Sequence, residues 1–483
     1  MQDERAVSVG PILFSRGADE QVSRIAALLI CDQVQEPPPL VPADGDEVSP
    51  TCIYTGLARR AWRYDFAVPS AEGGAYRLGD SDYEIHGRLT GDLRIAYVSC
   101  NGQEHEDPAR DLDERNVMWR RLVEEHRRTP FGLILHGGDQ LYADEVVQAH
   151  PGLAAWAASE PDARAALPFD DAMRTAAERF YLERYEYLFR QPSIAWLAAR
   201  IPAIMIWDDH DILDGWGSRP KDVLESPIGR GLFDAARRMF LLFQRAESEF
   251  CADAPGNGAA PCQRTAGCTQ SFPRFTVVVP DLRSQRTPER VMGPETWSEF
   301  ERGLEQASRG DRILIPSSVP VLGPRLSWVE KAFALFPGLQ RYEDDLRDQW
   351  QSRSHRAEWR RLLERLERTA IGGSHRVTIL SGELHLATRA VMAFRDGTLL
   401  HQLVSSGIAH PPPPELYARA LGALARIGES PVPGQRITLK PLPGQRRVYV
   451  PERNYMVLER AGGDWTAQWE LESSGRTPPL PLR

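Results

Sequence analysis

The chain is short of several features that mark common protein classes. Its six cysteines (Cys31, Cys52, Cys100, Cys251, Cys262 and Cys268) are sparse for 483 residues, which excludes a disulfide framework of the small secreted kind. No apolar run is long enough to span a bilayer, so no membrane contact is expected. Positive charge is not in excess either. The formal net charge is -9 and the pI about 5.8, whereas a nucleic-acid binder usually carries a basic face, and no nucleic-acid-binding surface is expected. The acidic balance does not exclude anionic substrates, because bound metal ions outweigh global charge locally. The start, Met1-Gln2-Asp3-Glu4-Arg5, lacks the basic stretch and apolar core of an export signal, and the expected location is the cytoplasm. Nothing in these features sets an oligomeric state.

What is present is an ordinary globular composition, 42% hydrophobic and 26% charged, with enough apolar surface for a large core. Residues 1–90 read as short strands broken by turns. Ile25 to Ile30 is apolar, and Trp62 to Val68 alternates with period two. A small N-terminal β-sandwich is expected there, ending near Leu89-Thr90-Gly91-Asp92. Residues 91–483 read as the main α/β domain, because strand and helix patterns now alternate. Strands are expected at Leu93–Val98, Phe131–His136, Pro202–Trp207, Phe275–Val279, Arg312–Ile315, Arg376–Leu380 and Leu399–Val404. Helices are expected through Leu112 to Val123, through Phe180 to Phe189 and over Glu358–Leu366. Residues 251–270 read as an inserted loop, whose cysteines lack the short spacing of a structural zinc site. Pro411-Pro412-Pro413-Pro414 ends the regular pattern. After it, Pro431-Val432-Pro433-Gly434-Gln435-Arg436 recurs nearly unchanged at 441–446, predicting two Pro-Gly turns around a short strand. A β-hairpin over 447–470 closes the chain.

One stretch organises the rest. Ile204-Met205-Ile206-Trp207-Asp208-Asp209-His210-Asp211 is an apolar strand that ends abruptly in carboxylates around one histidine. Three more strands end in potential ligands: Cys100 with Asn101, Asp139 with Tyr142, and Glu383 with His385. The carboxyl ends of parallel strands lie together and bind ligands. A single acidic residue after a strand is often a helix cap, but four such turns are hard to explain as capping. Carboxylate plus imidazole, with a thiolate or phenolate available, suits iron, manganese, zinc or calcium. Two such ions bridged by a carboxylate, about 3.5–4 Å apart, suit in-line displacement at phosphorus. A histidine just beyond them suits protonation of the leaving alkoxide.

These motifs resemble those of the calcineurin-like metallophosphoesterases, in particular the alkaline phosphatase D (PhoD-like) family. Gly138-Asp139-Gln140-Leu141-Tyr142 is similar to that group's GDxxY pattern, and Trp207-Asp208-Asp209-His210-Asp211 to the PhoD-like DDH(E/D) turn. Ser99-Cys100, Asp281-Leu282-Arg283-Ser284-Gln285-Arg286 and Ser381-Gly382-Glu383-Leu384-His385 resemble its remaining motifs, over roughly residues 90–410. The resemblance implies a four-layer αββα metallophosphoesterase sandwich with a small N-terminal β-sandwich domain. It implies two or more metal ions, iron and calcium foremost, with manganese or zinc as alternatives. Asp139 would bridge the ions, while Cys100 and Tyr142 would bind a ferric ion as thiolate and phenolate. Asp209, Glu383 and His385 would be further ligands, and His210 the proton donor. Asn101, Asp208, Asp211, Arg283 and Arg286 would support the ligands or meet the substrate. The plainer alternatives are that Cys100 is a small buried filler, Tyr142 a packing residue, and Arg283 and Arg286 structural ion-pair partners.

Glu383 departs from the family, which usually has Asp there. Its extra methylene moves the carboxylate by roughly an ångström, which the backbone must absorb unless the group leaves the ligand set. The function expected is that of a metal-dependent phosphoric ester hydrolase, mono- or diesterase, acting on a phosphate-ester substrate with a metal-activated water. The alternative is a catalytically weak metal-binding scaffold or sensor, with Glu383 as the mark of decay.

Overall fold

The computed structural model describes residues 8–248, 265–324, 349–426 and 428–483. Two large sheets and one small one carry the fold. The centre of the first sheet is a parallel run: Leu93–Val98 beside Leu133–Gly137, then Ala203–Ile206, then Val9–Ala18. Antiparallel strands extend it on both sides. Val22–Asp32, Arg59–Pro69 and Thr51–Gly56 follow Val9–Ala18. Asn454–Ala461 and Asp464–Leu471 follow Leu93–Val98. The second sheet has its own parallel run, Phe275–Val279, Arg312–Ser317, Arg376–Ser381 and Leu399–Val404.

Period-two alternation divides each strand between two cores. In Ala203–Ile206, Ile204 and Ile206 face the second sheet, where they join Leu133, Leu135, Phe275, Val277, Leu314, Leu380 and Leu403. Ala203 and Met205 face helices on the outer side, among them Val117–Arg128, Asp171–Phe189 and Pro227–Arg245. The second sheet's outer face is covered by Pro294–Gln306 and Arg356–Ala370. Strands buried on both faces need near-continuous apolar sequence, which is how these segments read. No helix among the described residues is long and apolar enough to cross a membrane.

The fold is thus a mixed α/β structure with several sheets, and the described residues 8–90 are joined to the main sheet. Their long strands continue the main sheet through the Phe14–Ala203 register. The reason lies in Val22–Asp32, which is buried at every position from Ile25 to Cys31. Ala26, Leu28 and Ile30 face the helical core, while Ile25, Ala27 and Leu29 face a small core of their own. That small core is roofed by a three-stranded sheet, Leu40–Pro42, Gly74–Leu78 and Ser81–Ile85.

Of the expected inserted loop, Cys251 and Cys262 lie outside the described residues, while Cys268 opens a strand, Cys268–Phe272. The closing hairpin begins at Asn454, not at 447, and lies within the main sheet. The repeated Pro-Gly pairs do flank a strand, Gln435–Lys440, with Gly434 at φ 80° and Gly444 at φ 78°, the positive φ that a type II turn requires. The tetraproline is followed by a further helix, Glu415–Ala425.

Candidate metal centre

The turns after the parallel strands of both sheets meet at one place. Ser99 Oγ donates to the Ser405 carbonyl (2.9 Å), and Ser318 Oγ to Asp208 Oδ1 (2.7 Å). The Gly382 amide donates to the Ser318 carbonyl (3.3 Å) and the His410 amide to the Cys100 carbonyl (3.1 Å). Gly138 allows one of these approaches: with φ 102°, a Cβ there would lie 2.9 Å from both Asp208 Cβ and Ser318 Cβ. Four residues in these turns have left-handed backbone without being glycine: Cys100 (φ 53°), Asp139 (φ 53°), Glu383 (φ 65°) and His385 (φ 52°). Such conformations cost of order 1–3 kcal/mol each and cluster at functional sites.

Cys100, Asp139 and His385 bring one donor atom each within 4.8 Å of one another. Cys100 Sγ lies 3.4 Å from Asp139 Oδ2 and 3.1 Å from Ser406 Oγ. Tyr142 joins them, its hydroxyl 3.1 Å from His385 Nε2. The His385 amide is fixed by Ser406 Oγ (2.8 Å). Asp139 Oδ1 is buried and has no hydrogen-bond partner among the described residues. A buried carboxylate oxygen without a donor is costly, and a cation answers it. The electrostatics agree. Burial, then the Asp208 charge, pushes Asp139 well above the ordinary carboxylate range. Burial, then Asp139, raises the Cys100 thiol, and burial, then Cys100, raises the Tyr142 phenol. Burial, then His410, lowers the His385 imidazole. A metal ion inverts this logic for anionic donors and keeps the imidazole neutral for ligation. Thiolate, phenolate, carboxylate and imidazole are therefore a donor set that fits a metal ion.

A second group consists of Asp139, Asp208 and Asp209, and a third of Asp209, His210 and Asp214. Asp208 Oδ1 accepts from Arg283 Nε as well as from Ser318. Asp209 Oδ2 accepts from the Gly215 amide (2.7 Å). His210 Nδ1 lies 3.0 and 3.1 Å from the two oxygens of Asp144, and its ring stacks on Tyr142 with centroids 4.5 Å apart. Its Nε2 meets no hydrogen-bond partner among the described residues. Burial alone would lower the His210 imidazole, but Asp144 and Asp209 outweigh it and raise it well above its ordinary value.

The other expected site residues divide. Asp211 braces two turns, accepting from the Leu141 amide (3.0 Å), the Asp208 amide (2.8 Å) and Gln244 Nε2 (2.9 Å). Burial pushes its carboxyl up to about 7. Asn101 turns its side-chain oxygen to Trp119 Nε1 (2.8 Å), while its carbonyl accepts from the buried Arg115 (2.5 Å). Arg286 packs across Gly217 and donates to Ser218 Oγ at 3.4 Å. Glu383 is not in any of the three donor groups among the described residues. Its Oε2 accepts from Gln349 Nε2 (2.9 Å), and its Oε1 is 3.9 Å from Arg283 Nη2.

Sequence reasoning missed Asp144, Glu104, Ser406 and His410. His410 stacks on His385 with centroids 3.4 Å apart, faces Tyr142 at 5.5 Å, and places Nε2 3.3 Å from Glu104 Oε1. A signal for two of them was available. Leu399–Val404 is a fifth strand whose end, Ser405-Ser406-Gly407-Ile408-Ala409-His410, carries polar groups into the same corner.

An uncharacterized protein of Saccharomyces cerevisiae (strain ATCC 204508 / S288c), YGR266W, is 24% identical over 455 residues, 76% of this chain and 64% of that protein's length. The solved structure of PhoD shares 11% identity at a TM-score of 0.57, covering 98% of this chain and 88% of that one, which is a likeness of fold. The profile of the PhoD related phosphatases matches residues 61–338. That span is more than half of the chain and includes the Cys100, Asp139 and Asp209 turns, with Glu383 and His385 beyond it; the chain belongs to the PhoD related phosphatase family.

Proposed function

We propose that the chain is a metal-dependent phosphoric ester hydrolase, transferring a phosphoryl group from a mono- or diester to water. The observation that carries this reading is the Cys100, Asp139 and His385 donor set, held on left-handed turns around a buried carboxylate oxygen that has no partner among the described residues. Family membership points to phosphoester chemistry. Cys100, Asp139, Tyr142 and His385 would hold the ion, and the thiolate and phenolate favour iron. When bound, such an ion supplies a hydroxide near neutral pH and polarises a phosphoryl oxygen.

The chain's own residues supply the rest. Hydrolysis breaks the bond from phosphorus to the leaving oxygen and forms one to the water oxygen, so the leaving oxygen needs a proton. His210 is suited to deliver it from Nε2. Asp144 holds Nδ1 and fixes the ring, Tyr142 stacks on its face, and the Asp144 and Asp209 charges raise the proton affinity of the imidazole. Asp211 keeps the Asp208–Asp209 turn in register with Leu141.

The test is turnover of p-nitrophenyl phosphate and bis(p-nitrophenyl) phosphate by metal-loaded protein. Hydrolysis of either is expected. Stoichiometric metal with no turnover of these or other phosphodiesters would assign the site to a metal-binding scaffold instead.

A further inference from the structure

We propose that Ser406 is a positioning residue of the metal centre: its hydroxyl donates to the Cys100 sulfur and so sets how strongly that thiolate donates to an ion, while its oxygen holds the His385 backbone. This rests on the reading that Cys100 and His385 bind metal, and it goes beyond it by assigning what controls the sulfur.

Ser406 is 0% exposed and stands just past the strand Leu399–Val404. Its Oγ accepts from the His385 amide at 2.8 Å and lies 3.1 Å from Cys100 Sγ. The first contact decides the polarity of the second. A hydroxyl has one hydrogen to give. An amide N–H cannot receive it, so the acceptor left among the described residues is the sulfur. Cys100, for its part, turns its own S–H toward Asp139 Oδ2 at 3.4 Å. Hydrogen is therefore handed one way, from Ser406 to the sulfur and from the sulfur to the carboxylate. When Cys100 gives up its proton to a cation, the Ser406 bond stays and becomes charge-assisted.

The serine is held by residues far away in the chain. Asn454 Nδ2 donates to the Ser406 carbonyl at 2.8 Å, and Ser405 Oγ donates to Asn454 Oδ1 at 2.7 Å. Asn454 opens the strand Asn454–Ala461, which pairs with Leu93–Val98, the strand that leads into Cys100. The hydroxyl and the sulfur it meets are thus positioned from the same pair of strands. The Ser99 hydroxyl and the Glu383 amide also face the sulfur, but the Ser99 hydrogen goes to the Ser405 carbonyl.

Hydrogen bonds to a ligating sulfur tune the potential of its metal, and partners of the ligands fix their orientation. A donor draws electron density off the sulfur. Without it the thiolate donates more strongly, which favours ferric over ferrous iron and lowers the energy of the sulfur-to-iron charge-transfer transition.

The experiment compares iron-loaded wild type with iron-loaded Ser406→Ala, by visible absorption, redox titration and resonance Raman scattering. The variant is expected to keep its iron, to absorb at longer wavelength in the thiolate band and to have a lower reduction potential. The iron–sulfur stretch of the wild type should shift after exchange into deuterium oxide, and that shift should shrink in the variant. An unmoved band and potential in folded, iron-loaded Ser406→Ala would overturn the proposal, as would loss of iron from the folded variant. Should Ser406→Ala fail to fold, the wild type decides: an iron–sulfur stretch indifferent to deuterium would refute the hydrogen bond. If iron-loaded wild type shows no iron–sulfur stretch at all, the assignment of Cys100 as a ligand fails, and this proposal with it. An intact stretch that ignores Ser406 unseats this proposal alone.

Discussion

The two halves of the centre are built from similar residues to opposite electrostatic ends. On one side Cys100, Asp139, Tyr142 and His385 are buried with burial itself pushing each toward its neutral form. On the other, Asp208 and Asp209 are met by Arg283, backbone amides and Ser318. Carboxylates alone therefore do not define a metal site. What separates the two is whether the protein has already supplied the opposite charge. The first side leaves Asp139 Oδ1 without a hydrogen-bond partner among the described residues, and the second sets a buried guanidinium against Asp208 and Asp209.

That contrast is open to attack by mutation. Asp139→Asn is expected to have the largest effect, since it removes the anion around the unpartnered oxygen. Metal content should fall well below one ion per chain and kcat by at least about 10³-fold, the scale of a lost electrostatic group at a reacting centre. Retention of metal would break the assignment of that side as the binding half. His210→Ala comes next, with kcat reduced by about 10²–10⁴-fold, the usual worth of a general acid, and metal content unchanged. Loss of metal would make His210 a ligand and blur the division. Cys100→Ser should act mainly on the spectrum: in iron-loaded protein any thiolate charge-transfer absorption should vanish, and an unchanged spectrum would remove Cys100 from the metal. The smallest effect is expected of Glu383→Asp. Shortening the side chain touches none of Cys100, Asp139 and His385, so the count of bound metal should not change, and a rise would show that side-chain length at 383 governs how much metal the centre holds.

Much of this centre was legible in the chain. Cys100, Asp139, Asp209 and His385 each follow a short apolar strand, and parallel strand ends converge by rule. The α/β class was legible from the alternation of strand and helix patterns after Leu93. The continuity of residues 9–69 with the main sheet was not, because an apolar run such as Ile25 to Ile30 reads the same in a sandwich and in a central strand. The pairing of Arg283 with Asp208 spans 75 residues, and no local pattern encodes it. Asp144 and His410 were missed because their meaning depends on the rings and carboxylates they face, His210 and Glu104. The length of Glu383 was noticed, but its direction toward Gln349 and Arg283 required coordinates.

The left-handed turns at Cys100, Asp139, Glu383 and His385 set a stability–activity trade-off. Glycine takes that backbone without strain, whereas an ordinary side chain spends roughly 1–2 kcal/mol to hold it. Replacing any of the four by glycine therefore relieves local strain while deleting a polar group of the centre. Drift away from function is thermodynamically downhill at these positions. A relative that has lost this chemistry should show glycine at them, with the strands leading into each turn intact.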